Sequence, residues 1–537
     1  MHRSPPLPFA ARLGRAFAMA LYLLGLSAIA HPKESRFFSI RVIDRDSKRG
    51  VPMVELETIH HMRFVTDSHG AIAIDEPELM GRDIFFFVRS HGYTFPKDGF
   101  GYEGTRLHVE AGKRATLLID RTNVAERMAR LTGSGIFRDS ILLGREAPIA
   151  NDALPGDVMG CDSVLTVHYR DQLYWFWGDT LRPHYPIGGN FHMTGATSPA
   201  PDPATWDSDA AIPYRYFVDD RGAVRPMAEM PGEGPTWLTA VASVPENGSV
   251  ATDPSGRALE PSRERMVASY VKIRPPLEAY RWGFAQWDDA TERFVEVKRF
   301  DTRPRVFLEP QAHTMAHLDS EGVPYLYFCN PFPWTRVRAD AASYCDPEAY
   351  ECYSCLKTDT LPGEEQPDRD ADGKLRYAWR RNTPFLDAKE QSRWIERGLI
   401  TADEAMDRMQ DVATGKRVQP HSGSVAWNAF RQAWIMIFVE LGGESSLLGE
   451  VWFAESEQPT GPWRFARKIA SHRQYSFYNP KHHPFMDQDG GRILYFEGTY
   501  THTFSGNTSP TPRYDYNQIL YRLDLTKEEL DLMRQKP

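Results

Sequence analysis

One phrase recurs four times along this 537-residue chain, with a degenerate fifth copy, and it leaves few folds open. A short strand opens on a polar residue, turns, and returns as an aromatic strand that closes on another polar residue. The copies run from Asp162 to Asp179, His313 to Asn330, His421 to Glu440 and Asn479 to Glu497. Opening and closing residues lie 17, 17, 19 and 18 positions apart. The weak copy is Thr236-Trp-Leu-Thr-Ala-Val-Ala-Ser-Val, answered after an insertion by Arg265-Met-Val-Ala-Ser-Tyr. Repeated β-meanders of this kind predict a propeller. Antiparallel neighbours reverse direction, so the start of one strand and the end of the next share a face. Asp162, Asp179, His313, Asn330, His421, Glu440, Asn479 and Glu497 are therefore expected around one polar mouth. The plainer alternative is a set of strand-end polar residues facing water.

The N-terminal third reads differently. Residues 1–30 carry Arg3, Arg12 and Arg15, then an apolar run from Ala16 that ends in Ala28-Ile-Ala30. This is the pattern of a cleaved export signal, and the run is short for a bilayer span of ~20 residues. The expectation is a secreted or periplasmic protein with no membrane association after cleavage; an uncleaved anchor is the alternative. Residues 35–120 alternate in short strands such as Phe37-Phe-Ser-Ile-Arg-Val-Ile-Asp and Asp83-Ile-Phe-Phe-Phe-Val-Arg, which predicts a small β-sandwich. Residues 121–154 read as a linker, helical near Asn123–Leu131. The propeller is expected over 155–525, with an insertion at about 332–418 that holds a helix pair near 387–397 and 402–410. The fold class is all-β: a sandwich, then a five-bladed β-propeller with a partly helical insertion.

Composition narrows the partners. The formal net charge of −9 argues against nucleic acid, which needs a basic surface. Three of the five cysteines, Cys345, Cys352 and Cys355, cluster closely enough for a local disulfide in an exported chain. The Cys352-x-x-Cys355 pair has no second pair at zinc-site spacing.

Three patches carry a family resemblance. Asp162 heads the first blade. Glu309-Pro-Gln-Ala-His313 heads the third. Glu450-Val-Trp-Phe-Ala-Glu-Ser-Glu-Gln-Pro-Thr-Gly-Pro-Trp463 forms a third-strand phrase. Together they resemble the five-bladed glycoside hydrolase clans of arabinanases, β-xylosidases, invertases and levansucrases. Residues 35–120 resemble carboxypeptidase regulatory-like (transthyretin-like) domains, through the order Val-x-Asp, Gly-Val-Pro and Val-Thr-Asp-x-x-Gly. The first resemblance implies a carbohydrate substrate and cleavage by two carboxyl groups. One departure stands out: the head of blade two reads Gly232-Glu-Gly-Pro-Thr-Trp237, with Glu233 as its only carboxylate, where those enzymes place a helper Asp.

Glycoside hydrolysis needs one protonated and one ionised carboxyl. The expected base or nucleophile is Asp162 and the expected acid Glu309, with Glu497 as competitor and Glu440 behind it. Glu309 also has Arg303 and Arg305 nearby as structural partners. Expected substrate-binding residues are Asp179, Trp177, Trp237, His313, Asn330, His421, Glu440, Asn479, Lys481 and His482. No cofactor is required by this chemistry. A Ca²⁺ near the axis would fit the resemblance, and His313, His421 and His482 with Asp162 are candidate metal ligands. The rival functions are a non-catalytic glycan-binding protein and a metal-dependent polysaccharide lyase.

Overall fold

A computed structural model describes residues 36–149, 154–190, 192–206, 209, 211–246, 263–302, 306 and 309–532. The export signal at 1–30, and Arg303 and Arg305, lie outside the described residues. None of the described helices is long and apolar enough to cross a membrane.

Strict alternation in Phe38–Asp44 buries Phe38, Ile40 and Val42 and turns Arg41 outward. Its sheet pairs it with Ala71–Ile74 on one side and Arg114–Arg121 on the other. A second sheet orders Arg63–Val65, Glu55–Thr58, Arg82–Arg89 and Gly104–Val109. Leu56, Phe86 and Val88 of the second sheet meet Ile40, Val42 and Ile119 of the first in one core.

Five further sheets make the propeller, each with four or five strands. Their innermost strands are Leu165–Tyr169, Thr236–Pro245, His313–Leu318, Pro420–Asn428 and Ser476–His482, for blades I to V. Large side chains fill the space between blades. Phe176 of blade I, for example, packs on Trp287 and Phe294 of blade II at 6.0 and 5.2 Å between ring centroids. Burying each such aromatic contributes roughly 2–3 kcal/mol.

The expected helical linker is a strand. Residues 123–131 mix apolar and charged positions at a helix-like spacing, yet Glu126–Arg130 runs antiparallel to Asn517–Asp524, pairing Ile519 with Arg130 and Tyr521 with Arg127. Without it blade V would have three strands and a bare edge, and satisfying that edge outweighs local helical preference. The ring is thus closed by a strand that precedes blade I. Arg127, 1% exposed, also ties it to the sandwich, donating to Pro52 O at 2.9 Å, His91 O at 2.8 Å and Ser90 Oγ at 2.6 Å.

The insertion also differs from expectation. Thr335–Arg338, Glu351–Ser354 and Ala378–Arg381 are blade III's own outer strands. Of the expected helix pair the first forms, Ala388–Glu396, capped by the Asp387 carboxylate on Glu390 N–H at 2.8 Å. The second is absent. Thr401 and Glu404 make both reciprocal capping-box bonds, 2.8 and 3.3 Å, but the chain turns at once into Asp407–Asp411 at the edge of blade IV. Glu404 is also claimed by Arg369 at 2.6 Å. All five cysteines are free, so the local disulfide does not form.

Candidate functional site

At one end of the propeller axis lies a cavity of ≈ 340 Å³ to which every blade contributes. Asp162 and Asp179 come from blade I, Trp237 from blade II, His313 and Asn330 from blade III, Ser422 from blade IV and Asn479 from blade V. Residues more than 300 positions apart thus share one wall.

The two carboxylates are neighbours across a strand pair. Asp162 N–H donates to Asp179 O at 3.3 Å, and Gly178 N–H to Asp162 O at 2.9 Å. Tyr516 donates its hydroxyl to Asp162 Oδ2 at 2.9 Å. Burial, reinforced by the nearby Asp179 charge, pushes the Asp162 carboxyl up to about 7. Burial raises Asp179 to about 6, restrained by a hydrogen bond from Trp237. A Cβ at Gly178 would lie 2.1 Å from Asp162 Oδ1, so the missing side chain leaves that carboxyl its position. Neutral groups also line the cavity. Asn479 Nδ2 donates to Ser163 Oγ at 2.7 Å, and Asn330 Nδ2 to Gln311 Oε1 at 2.9 Å. The buried His313 imidazole is held well below its usual range by desolvation, with the Lys481 charge adding to the effect.

Several expected residues fall elsewhere. Glu497 is fully buried, because its strand Ile493–Thr501 continues past it toward the mouth and the register pairs it with Lys481 rather than Asn479. Its Oε1 lies 2.6 Å from His483 Nε2. Lys481 sits beside it below the floor, pushed down to about 8 by burial. His421 is displaced by a bulge. Pro420 faces Glu440 while Ser422 faces Val439, so His421 is the extra residue, and Ser422 reaches the cavity instead. Glu440 lies outside the lining, beside Glu450, and burial plus that neighbour raise it to about 7. Trp177 is core: 0% exposed and edge-on to Tyr214 at 5.1 Å. His482 turns into its blade, Nε2 on Asp487 Oδ1 at 2.8 Å. Glu309 is half-buried just before Gln311 but does not line the cavity. Glu233 at the head of blade II is exposed and also outside it. Among the described residues no three His, Cys, Asp or Glu side chains form a group able to hold a metal ion, so His313, His421 and His482 do not make the expected ligand set.

No family model and no curated protein sequence matches the chain. Solved structures similar to it include a putative exo-β-1,3-galactanase from Bifidobacterium bifidum s17, at 10% identity over 74% of this chain and 92% of that one, TM-score 0.34. A second is an exo-β-1,3-galactanase from Phanerochaete chrysosporium, at 8% identity over 74% of this chain and 64% of that one, TM-score 0.34. A third is a GH43_1 enzyme from Xanthomonas citri, at 11% identity over 69% and 89%, TM-score 0.32. Likeness at this level carries no chemistry across; what the cavity can do rests on its own side chains.

Tyr516, Gln311 and Ser422 line or support the cavity and were not singled out from sequence. Gln311 lies within two residues of a phrase's opening residue, a signal that a wider window would have caught. Tyr516 lies in the loop before blade V's third strand, which no repeat marks.

Proposed function

We propose that the protein is a carbohydrate-active hydrolase that cleaves a glycosidic bond in the axial cavity. The observation that carries this reading is the Asp162–Asp179 pair, whose two carboxyls titrate near neutrality at different values, about 7 and about 6. Near pH 6.5 the pair holds about one proton, the state glycoside hydrolysis requires. Asp179, stabilised as the anion by Trp237, is the base or nucleophile. Asp162, the last to ionise, is the acid that protonates the leaving oxygen. This exchanges the role first expected for Asp162. The indole of Trp237 and the ring of Tyr478 offer faces for a sugar's C–H groups, while Asn330, Gln311 and Asn479 offer amides to its hydroxyls. Export, read from residues 1–30, belongs to the same proposal.

The second reading is a glycan-binding protein without catalysis. One observation favours it: both lining carboxylates belong to blade I, and the named lining groups of the other blades are neutral or imidazole. The test is a panel of plant, algal and bacterial polysaccharides incubated with residues 31–537, beside Asp162→Asn and Asp179→Asn. Sugar release that both variants abolish while staying folded supports the hydrolase. Retention on an immobilised glycan without release moves the reading to binding.

A further inference from the structure

The axial cavity is not the largest recess. Where the sandwich meets blades IV and V there is an open cleft of ≈ 890 Å³. Glu57, Arg89 and His91 face it from the sandwich, and Arg473, Gln474 and Asn507 from the propeller.

Strand register puts this cleft on the same propeller face as the cavity. In blade IV, Ser422 lines the cavity and pairs with Val439; Val439 pairs with Val451, and Val451 with Ala470. Residues 471–474 therefore leave the blade at the cavity's level. In blade V, Ser476 pairs with Thr501 and Tyr500 with Asn517, so the loop 502–516 emerges there as well. This loop stands between the two recesses. On one side Phe504, 51% exposed, lies 5.6 Å from the ring of Tyr478, which lines the cavity. On the other, Asn507 lines the cleft, and Ser505 Oγ donates to Gln474 O at 2.8 Å.

The chemistry of the cleft suits a neutral, hydroxyl-rich chain. Its carboxylates and guanidiniums neutralise one another, Arg89 on Glu57 at 2.5 Å and Arg63 on Glu55 at 2.6 Å. What remains toward solvent is a dense set of donors and acceptors with little net charge, at a junction of two folded units where ligand sites commonly form. Between the recesses, Phe504 offers an exposed ring of the kind on which a sugar face stacks.

We propose that the cleft is a distal subsite for an extended neutral oligosaccharide whose other end occupies the axial cavity, so that the sandwich forms part of the substrate-binding surface. This rests on the carbohydrate reading above and adds the substrate class: a chain of several residues rather than a single sugar. Binding energy from the remote end is available to position the bond being cleaved, so the cleft favours polymer over short substrates in kcat/KM.

The test compares the polysaccharide found in the panel with the aryl monoglycoside of the same sugar, which is too short to leave the axial cavity. Two cleft variants are used, Asn507→Trp, which fills it, and Arg473→Ala/Gln474→Ala, which strips exposed donors. Both are expected to lower kcat/KM on the polymer about tenfold, the equivalent of one charge-assisted hydrogen bond, and to leave the aryl glycoside unchanged. Their retardation in gels containing the polysaccharide should fall in parallel. If Asn507→Trp melts early, the double variant alone decides. Wild-type kinetics and retardation on the polymer for the double variant overturn the subsite while the hydrolase stands. A wild type that neither cleaves nor is retarded by any polysaccharide overturns both.

Discussion

Asp162 and Asp179 are joined through their backbones, Asp162 N–H to Asp179 O at 3.3 Å, so that two carboxyls share one end of one blade. Both are raised, to about 7 and about 6, because the cavity floor desolvates them. Cleavage should follow a bell-shaped pH profile, failing as Asp179 protonates below about 6 and as Asp162 ionises above about 7. Asp162→Asn should flatten the alkaline limb and lower the rate by about 10²–10⁴-fold. A flat wild-type profile from pH 5 to 8 would count against the assignment.

The same shifts set a stability term. A carboxyl raised in the fold keeps a proton that the unfolded chain has released, so its contribution is lost as pH rises from about 4 through about 7. The neutral Asp162→Asn should therefore be more thermostable than wild type at pH 8 by about 2–4 °C, and no more stable at pH 4. Calorimetry at the two pH values checks this.

Gly178 lines the cavity beside Asp162, and Gly178→Ala should act through that carboxyl. The added methyl would sit 2.1 Å from Asp162 Oδ1, so the carboxyl must swing away from Tyr516. Hydrolysis is expected to fall at least tenfold while the melting temperature moves by only a few degrees. Activity equal to wild type would mean that the Asp162 position is not critical.

Glu497 and His483 are both 0% exposed and 2.6 Å apart, and burial holds the Glu497 carboxyl up to about 8, against the pull of Lys481. At pH 7 it is mostly the protonated donor to His483 Nε2. Glu497→Gln keeps a donor and should cost less than about 1 kcal/mol with activity intact; Glu497→Leu orphans the imidazole and should cost about 1–3 kcal/mol. Loss of activity in a stable Glu497→Gln protein would restore Glu497 as a catalytic candidate.

At the sandwich–propeller junction, Gln474 N–H donates to His472 Nδ1 at 2.9 Å, and His472 Nε2 lies 3.0 Å from Tyr500 OH. The His91 ring lies tilted beside it at 4.4 Å between centroids, and Arg127 is close enough to oppose a further charge. Burial holds His472 down to about 3. A depressed imidazole contributes stability above about 6.5 that is lost as pH falls toward its folded value. Relative to His472→Gln, the wild type should lose melting temperature between pH 7 and pH 5, a trend opposite in sign to that of the raised carboxyls. Equal slopes would show that other groups carry the acid sensitivity.

The sequence revealed the propeller because its signal is repetitive: each phrase had to pair with itself locally, so Asp162 with Asp179 and His313 with Asn330 could be placed at one mouth. It failed where pairing departs from the repeat. One extra residue at His421 exchanged His421 for Ser422. The shift between Tyr478 and Lys481 sank Glu497 below the floor. These faults were faintly visible, since the two affected phrases span 19 and 18 positions and the regular ones 17. Long-range partners left no trace at all. Nothing near Glu126–Arg130 announces an edge in blade V, and nothing near Tyr516 announces Asp162.

That closing strand has a consequence during synthesis. Arg130 and its partner Ile519 are about 390 residues apart, and a ribosome takes roughly 20–80 s to cover that distance. Throughout that interval the strand is an unmatched template, able to zip onto any passing β-segment. Its Arg127 anchor on Pro52, Ser90 and His91 can form as soon as the sandwich has folded. The small N-terminal unit thus serves the nascent chain as a holster, keeping the last piece of the ring sheathed until its true neighbour arrives.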